Sequence, residues 1–217
     1  MGALAAAVPP GFVALSVALW FWSQQKISAQ KPPAAAATGI GDRLHNLSTP
    51  WHTWLLAHPK RADAVLIGTS AGIDVFGIYL LGAAVFGPTT QPFLAVLVVF
   101  ALRQLCQWLV SLPEPPDVIW RYPGSPSLLV TYNVENDFFF SGHTAVSAVA
   151  MLELIHFAPA WLAALAVVLT VIEAGTVIVL RAHYTMDVVT AIFAAVVAAV
   201  AAGWMAPGVD ALLHGLT

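Results

Sequence analysis

The sequence predicts an all-α integral membrane protein built as a bundle of six transmembrane helices. Of the 217 residues, 59% are hydrophobic and only 9% are charged, whereas about a quarter of the residues in a soluble domain are charged. The mean hydropathy is +0.83, and six apolar runs approach the length of about 20 residues that a spanning helix needs. We therefore expect one integral membrane domain over residues 1–217.

The six apolar runs cover residues 3–22, 63–87, 92–111, 138–157, 160–181 and 184–205. Pro9, Pro10 and Gly11 interrupt the first run and leave an apolar stretch of signal-peptide length. No Lys or Arg precedes it, whereas a signal peptide normally begins with a basic region. We interpret residues 1–22 as an uncleaved first span, with a signal peptide as the alternative, and residues 63–205 as a five-helix catalytic core.

A long polar segment, residues 23–62, connects the first span to this core. Between residues 40 and 56 apolar residues recur at helical spacing, and Pro50 interrupts them. This pattern predicts a pair of short interfacial helices with Trp51 and Trp54 at the level of the lipid headgroups. A cap packed on the helical bundle is the alternative.

The loops with polar residues fall on one side of a six-span topology. Residues 23–62, the loop at residues 112–136 and the turn at residues 181–183 share this side, together with Lys26, Lys31, Arg43, Lys60 and Arg61. The positive-inside rule then places it at the cytoplasmic face.

Charge and cysteine usage exclude several classes of partner. The net charge is only -3, and the chain lacks a basic patch with interleaved aromatic residues, so we expect no nucleic-acid partner. The lone Cys106 excludes an intrachain disulfide and a cysteine metal site. No cofactor is predicted, the membrane bilayer is an expected partner, and a homo-oligomer is left open.

A polar segment near the start of the last span carries a histidine and an acid. His183 and Asp187 stand four residues apart, so they share one face if a helix begins there. Asp187 can accept the proton on one ring nitrogen, which leaves the other nitrogen as a base or nucleophile. We therefore predict that both residues are catalytic.

A second polar segment stands at the start of the fourth span. It contains Asp137, Ser141, Gly142 and His143. Exposed backbone donors and the positive end of a helix favour an anion at such a position. Two histidines around a phosphate would divide the chemistry, because one can attack phosphorus while the other protonates the departing oxygen. A metal site formed by both histidines and an acid is the alternative.

Ionisable side chains inside the spans are further candidates, because they are costly in a membrane unless they face the bundle interior. They are Asp74, Arg103, Glu153 and Glu173. An ion pair between Asp74 and Arg103 is the structural alternative, and we interpret Glu153 as a helix-packing residue. The remaining histidines, which we interpret as interfacial or loop residues, are His45, His52, His58, His156 and His214.

The two segments resemble the signature motifs of sphingomyelin synthases, a branch of the type-2 phosphatidic acid phosphatase superfamily. Those motifs are Asp-x-x-x-Ser-Gly-His-Thr and His-Tyr-Thr-x-Asp-Val-x-x-Ala, which this chain carries at residues 137–144 and 183–191. Arg103, followed nine residues later by Leu-Pro-x-Pro, is also similar to that family. The arrangement further resembles the plant enzymes that move phosphocholine between phosphatidylcholine and diacylglycerol, over about residues 40–195.

The resemblance implies a six-span bundle in which His183 is the nucleophile, Asp187 holds it, and His143 acts as acid and base. We expect substrate to be bound by Arg103, Asp137, Ser141, Gly142, Glu173, Arg181 and Tyr184, with Arg103 or Arg181 as the phosphate clamp. The lipid phosphatases carry a Lys-x6-Arg-Pro motif and an arginine six residues before the second histidine. This chain lacks that motif and has Val177 at the arginine position, which favours head-group transfer.

The predicted function is therefore transfer of a phosphocholine-type head group through a phosphohistidine. The donor is a glycerophospholipid, and the acceptor is a lipid alcohol such as diacylglycerol or ceramide. A lipid phosphatase or phospholipase C-like hydrolase, with water as the acceptor, is one alternative. A non-catalytic membrane carrier, whose polar groups line a pathway, is the other.

Overall fold

The computed structural model describes residues 10–28, 40–110, 112–130, 132 and 139–214. Within these ranges the chain is all-α, as predicted, and forms seven helices. They are α1 (Pro10–Ser28), α2 (Arg43–Ala57), α3 (Pro59–Phe86), α4 (Gln91–Leu109), α5 (Gly142–Phe157), α6 (Ala160–Val179) and α7 (Thr185–His214).

Four of these helices, α3, α4, α6 and α7, are long and apolar enough to cross a membrane. They correspond to four of the six predicted spans and support a multi-pass membrane protein. The other two predicted spans correspond to α1, with 19 residues, and α5, with 16 residues. These two helices are not among the four, so the six-span topology stays a prediction.

The polar segment between α1 and α3 contains one helix, α2, where the sequence predicted a pair. Pro50 lies inside it, although a proline removes one backbone hydrogen bond, to the carbonyl four residues earlier. That carbonyl belongs to Asn46, which is exposed, so solvent can satisfy it. The interior proline therefore does not break the helix.

The buried face of α2 is more polar than its exposed face. Its buried residues are His45, Ser48, His52 and Leu55. Its exposed face carries large apolar side chains, namely Leu44, Leu47, Trp51 and Trp54. The helix thus packs its histidines on the bundle and presents its tryptophans outward. It therefore has features of both interpretations of this segment, since it caps the bundle and also has an outward apolar face suited to a bilayer surface.

The centre of the bundle is formed by α5 and α7. Every residue of α5 from Thr144 to Ala150 is buried. The opposing face of α7 carries a row of buried alanines, Ala191, Ala195, Ala198, Ala202 and Ala206. Small side chains allow helix backbones to approach closely, and α7 packs against both α4 and α5.

The loop between α4 and α5 is fastened to the bundle at several points. Ile119 N donates a 2.8 Å hydrogen bond to Leu180 O at the end of α6. Asp74 of α3 accepts hydrogen bonds from Ser127 Oγ (2.9 Å) and from the backbone N–H groups of Leu128 and Leu129 (3.0 Å each). Asp74 therefore holds this loop in the structure and is neither at the site nor in the alternative ion pair with Arg103.

The two ends of the bundle are distinct. At one end Asp210 of α7 accepts hydrogen bonds from Thr89 Oγ1 and Thr90 N, both at 2.9 Å, which fixes the α3–α4 turn. The start of α5, the start of α7 and helix α2 meet at the other end. The two predicted motifs lie there.

Candidate active site

A cavity of about 160 Å³ lies between α1, α3, α4 and α5. Its polar end is lined by His143, His183, Arg103 and Gly142. The two histidines stand 40 residues apart in the sequence, yet both face this cavity. The structure therefore brings together three side chains that phosphoryl transfer can use: two imidazoles and a guanidinium.

His183 lies in the turn between α6 and α7, and Asp187 lies in the first turn of α7. His183 Nδ1 is 3.6 Å from Asp187 Oδ2, which is an ion-pair distance slightly longer than a hydrogen bond. Contacts of this kind are often long without substrate and shorten when substrate binds. Asp187 is fully buried, and its Oδ2 accepts a 2.8 Å hydrogen bond from Tyr184 N. Its carboxylate is therefore held toward the His183 ring.

His143 lies in the first turn of α5, directly after Gly142. Trp120 packs edge-on against it, with ring centroids 5.0 Å apart and planes at 88°. The positive end of α5 lies at this point, where an anion is favoured. His143 thus faces the cavity from the end of the helix that attracts phosphate.

The two motifs are joined directly through their backbones. Ser141 N donates a 3.3 Å hydrogen bond to Asp187 O. The Ser141 side chain caps α5, because its Oγ accepts hydrogen bonds from Thr144 N (3.3 Å) and Thr144 Oγ1 (3.0 Å). Ser141 is therefore placed to fix α5 against α7, while Gly142 and His143 line the cavity.

Arg103 reaches the site from α4 and is 4% exposed. Its Nε donates a 2.9 Å hydrogen bond to Phe140 O, and its Nη1 donates to Gln24 Oε1 of α1 at 3.4 Å. A methyl group on Gly142 would lie 3.2 Å from Arg103 Nε and 3.4 Å from Cζ. Glycine at position 142 thus allows the guanidinium to lie against the start of α5.

Arg181 occupies a different place, so the two candidate phosphate clamps are separated. Its Nη1 donates to Pro116 O at 3.2 Å, its Nη2 donates to Thr49 Oγ1 at 3.3 Å, and Asp117 lies 3.6 Å away. These contacts fasten the α4–α5 loop and α2 to the α6–α7 turn. Arg103 lines the cavity, which favours it as the clamp.

Three other predicted binding residues lie away from the cavity lining or outside the described structure. Tyr184 is 3% exposed and stacks on His45, with ring centroids 5.5 Å apart. Glu173 is buried between α6 and α3, where Thr69 Oγ1 donates a hydrogen bond to it. Asp137 lies outside the residues that the structure describes. A substrate contact for these three residues stays a prediction.

The sequence interpretation missed the buried contacts that α2 and its N-cap Asp42 make with the end of α6 and the start of α7. His45 and His52, interpreted as interfacial or loop residues, are buried and donate to backbone carbonyls of the α6–α7 segment, at His183 O (2.9 Å) and Val179 O (2.8 Å). Their seven-residue spacing, two turns of α2, was the available signal. Asp42 accepts hydrogen bonds from both Thr185 N and Thr185 Oγ1 at 2.6 Å.

These surroundings shift two pKa values. Burial would raise the pKa of Asp42, but the hydrogen bonds from Thr185 and His45 outweigh it and lower that pKa below its usual value. Burial lowers the pKa of His52. Asp42 is therefore held as a carboxylate, and His52 is held neutral.

Apart from Ser16, the rest of the cavity is lined by apolar residues. It extends along α4 from Arg103 to Phe93, which is about 15 Å at the rise of an α-helix. Leu80, Leu97 and Phe100 line this limb. The cavity thus combines a polar end lined by a guanidinium and two imidazoles with a long apolar limb. Within the described residues, no group of three or more His, Cys, Asp or Glu side chains is placed to hold a metal ion.

A comparison with protein-family models gives a match over residues 43–204, more than half of the chain. The chain belongs to the AtPDCT1/2 family. The family is that of the plant phosphatidylcholine:diacylglycerol cholinephosphotransferases. Membership indicates a phosphotransferase of phospholipid metabolism and agrees with the second resemblance noted from the motifs. No curated protein and no solved structure matches the chain.

Proposed function

We propose that this protein transfers phosphocholine from phosphatidylcholine to diacylglycerol through a phosphohistidine at His183. The observation that carries the proposal is the cavity, whose polar end is lined by His143, His183 and Arg103 and whose remainder is lined almost entirely by apolar residues. Family membership supports the same donor and acceptor. The likeness of the motifs to sphingomyelin synthases makes ceramide a second acceptor to test.

In the first half-reaction the His183 ring attacks phosphorus. Asp187 faces Nδ1, so Nε2 is the attacking atom. The bond from phosphorus to the glycerol oxygen breaks as the bond from nitrogen to phosphorus forms. His143 gives its proton to the departing oxygen, which releases diacylglycerol.

In the second half-reaction an acceptor alcohol attacks the phosphohistidine. His143, now neutral, takes the proton from the acceptor hydroxyl, and the bond from phosphorus to His183 breaks. Arg103 and the positive end of α5 stabilise the phosphoryl charge in both steps.

We further propose that the chain has six membrane spans and that the end of the bundle with the two motifs lies at the cytoplasmic face.

The test uses the purified full chain in liposomes with head-group-labelled phosphatidylcholine and added diacylglycerol or ceramide. We expect label in a new phospholipid, and acid-labile label on the protein when acceptor is withheld. Release of soluble phosphocholine would assign a hydrolase, and absence of any reaction would favour a carrier. Either outcome would overturn the transferase proposal.

His183→Ala should abolish both new lipid and protein label, because the nucleophile is gone. His156→Ala is the matched control, since His156 is exposed at the far end of α5. Full activity in His183→Ala would reject the phosphohistidine. Equal thermal unfolding of the two variants would show that the loss is chemical.

A further inference from the structure

We infer that Asp42 and His45 are positioning residues for His183, and that helix α2 is thereby part of the catalytic apparatus. This inference rests on the proposed function of His183. Neither residue lines the cavity, so neither is placed to touch substrate. They act on the two ends of the short segment that carries His183 and leads into α7.

Asp42 joins the starts of two helices. One of its oxygens accepts hydrogen bonds from Leu44 N (2.9 Å) and His45 N (3.2 Å), which caps α2. The two oxygens also accept hydrogen bonds from Thr185 N and Thr185 Oγ1, both at 2.6 Å. A carboxylate at a helix start satisfies unpaired N–H groups and interacts favourably with the helix dipole. One carboxylate thus fixes the starts of α2 and α7 together.

His45 holds the other end of the same segment. Its Nε2 lies 2.9 Å from His183 O, and a carbonyl oxygen can only accept, so Nε2 carries the proton. The His45 ring also stacks on Tyr184, with ring planes 27° apart, and is 6% exposed. The backbone of His183 is therefore held by a buried donor on a different helix.

These two attachments hold the turn and the helix start that bring His183 and Asp187 together. His183 lies outside the helices, in a turn, whereas its partner Asp187 lies inside α7. The contact between Nδ1 and Oδ2 depends on where the turn meets the helix. His45 fixes the turn at residue 183, and Asp42 fixes the helix start at residue 185. Loss of either attachment would let the imidazole drift from Asp187 and from the phosphate.

A displacement of about 1 Å can cost about 100-fold in rate, so we expect His45→Ala and Asp42→Ala to lower kcat by about 10- to 100-fold. KM should stay close to that of the wild-type protein, because the cavity lining is unchanged. His45→Gln should recover much of the rate, since its amide can donate to the same carbonyl. Asp42→Asn should still cap α2 but lose an acceptor for Thr185, and should be slow.

His52→Ala is the matched control. It removes a similar buried hydrogen bond from α2 to a backbone carbonyl, at Val179, without touching residues 183–185. We expect it to lower thermal stability and leave kcat within about twofold. The inference is overturned if His45→Ala and Asp42→Ala leave kcat unchanged, or if their losses only follow stability as His52→Ala does.

Hydrogen exchange separates this inference from the proposed function. Mass spectrometry of the full chain in detergent should show faster exchange at the amides of Tyr184 and Thr185 in His45→Ala and Asp42→Ala than in His52→Ala. This readout needs no activity, so absence of transferase activity would reject the proposed function alone. Unchanged exchange at these amides would reject the positioning role, whatever the activity.

Discussion

Arg103 illustrates how one side chain can serve both packing and phosphate binding. It is almost fully buried, where a guanidinium needs hydrogen-bond acceptors or an anion. Phe140 O accepts from its Nε and Gln24 Oε1 accepts from its Nη1, while the side chain lines the polar end of the cavity. An arginine fork matches phosphate oxygens in a way that a lysine cannot. This geometry is the physical reason that Arg103 suits the proposed clamp.

His52 gives a testable pH dependence at the scale of a single residue. Burial lowers its pKa from 6.5, and this outweighs the hydrogen bond to Val179 O, which raises the pKa. The nearby Arg181 lowers the pKa further, and Asp117 raises it. The unfolded chain therefore gains a proton at a higher pH than the folded protein, so stability is lost as pH falls through about 6.5. Its Nε2 is buried with no hydrogen-bond partner in the described part of the chain.

We expect the thermal unfolding temperature in detergent to drop between about pH 7.5 and pH 5.5, and His52→Asn to reduce this drop. Asparagine can donate to Val179 O but gains no charge. His58→Asn is the control, because His58 is exposed. Identical pH dependence in all three proteins would contradict the assignment to His52.

At the scale of elements, the loop between α4 and α5 depends on close approach to α3. A methyl group on Gly77 would lie 1.9 Å from Leu129 Cδ1. The Leu129 side chain can therefore pack at this position only because residue 77 has no side chain. Leu129 and Gly77 both line the apolar limb of the cavity. Asp74, one turn earlier, holds the same part of the loop. The shape of the limb is therefore set jointly by a helix and a loop.

Gly77→Ala should displace Leu129, narrow or distort the limb, and raise KM for long-chain lipids by about 10-fold. The measurement is transferase activity across donors of different acyl length, with thermal unfolding alongside. Gly82→Ala is the control on the same helix, because its added methyl group would meet no atom within 4 Å apart from its chain neighbours and the nearby backbone of α3. Equal kinetics for the two variants would contradict a role for this contact.

The sequence predicted the positions of helices well where a long apolar run marks the helix. The predicted run at 92–111 corresponds to α4, and the run at 160–181 corresponds to α6. It failed to predict that His45 and His52 lie on the buried face of α2, because histidines in a polar segment are usually interfacial or loop residues. The contact from His45 to His183 spans 138 residues, and no local pattern reports a contact at that separation.

At the scale of the whole molecule, the helix directions place the two motifs at one end and the α3–α4 and α5–α6 turns at the other. The sequence predicted that the motifs would converge, because each stands at the start of a long apolar run. It could not separate Arg103 from Arg181 as the clamp. That choice depends on tertiary contacts, because Arg181 donates its hydrogen bonds to α2 and to the α4–α5 loop.

This arrangement predicts the labelling of single cysteines introduced into a Cys106→Ser background. In sealed vesicles, Lys60→Cys and Tyr122→Cys should react with an impermeant maleimide from one side only, and Pro88→Cys and His156→Cys from the other. All four positions are exposed. Labelling of Lys60→Cys and Pro88→Cys from the same side would contradict a membrane crossing by α3.

A single phosphate-sized polar end, shared by the departing and arriving diacylglycerol, has a thermodynamic consequence. On the proposed mechanism, the ester bond broken in one lipid is re-formed in another lipid of the same chemical kind, so the equilibrium constant lies near one. The reaction would then have no thermodynamic preference for either direction of head-group transfer. Net flow of head groups would follow the relative abundance of the two glycerolipid pools, and acyl chains would mix between them.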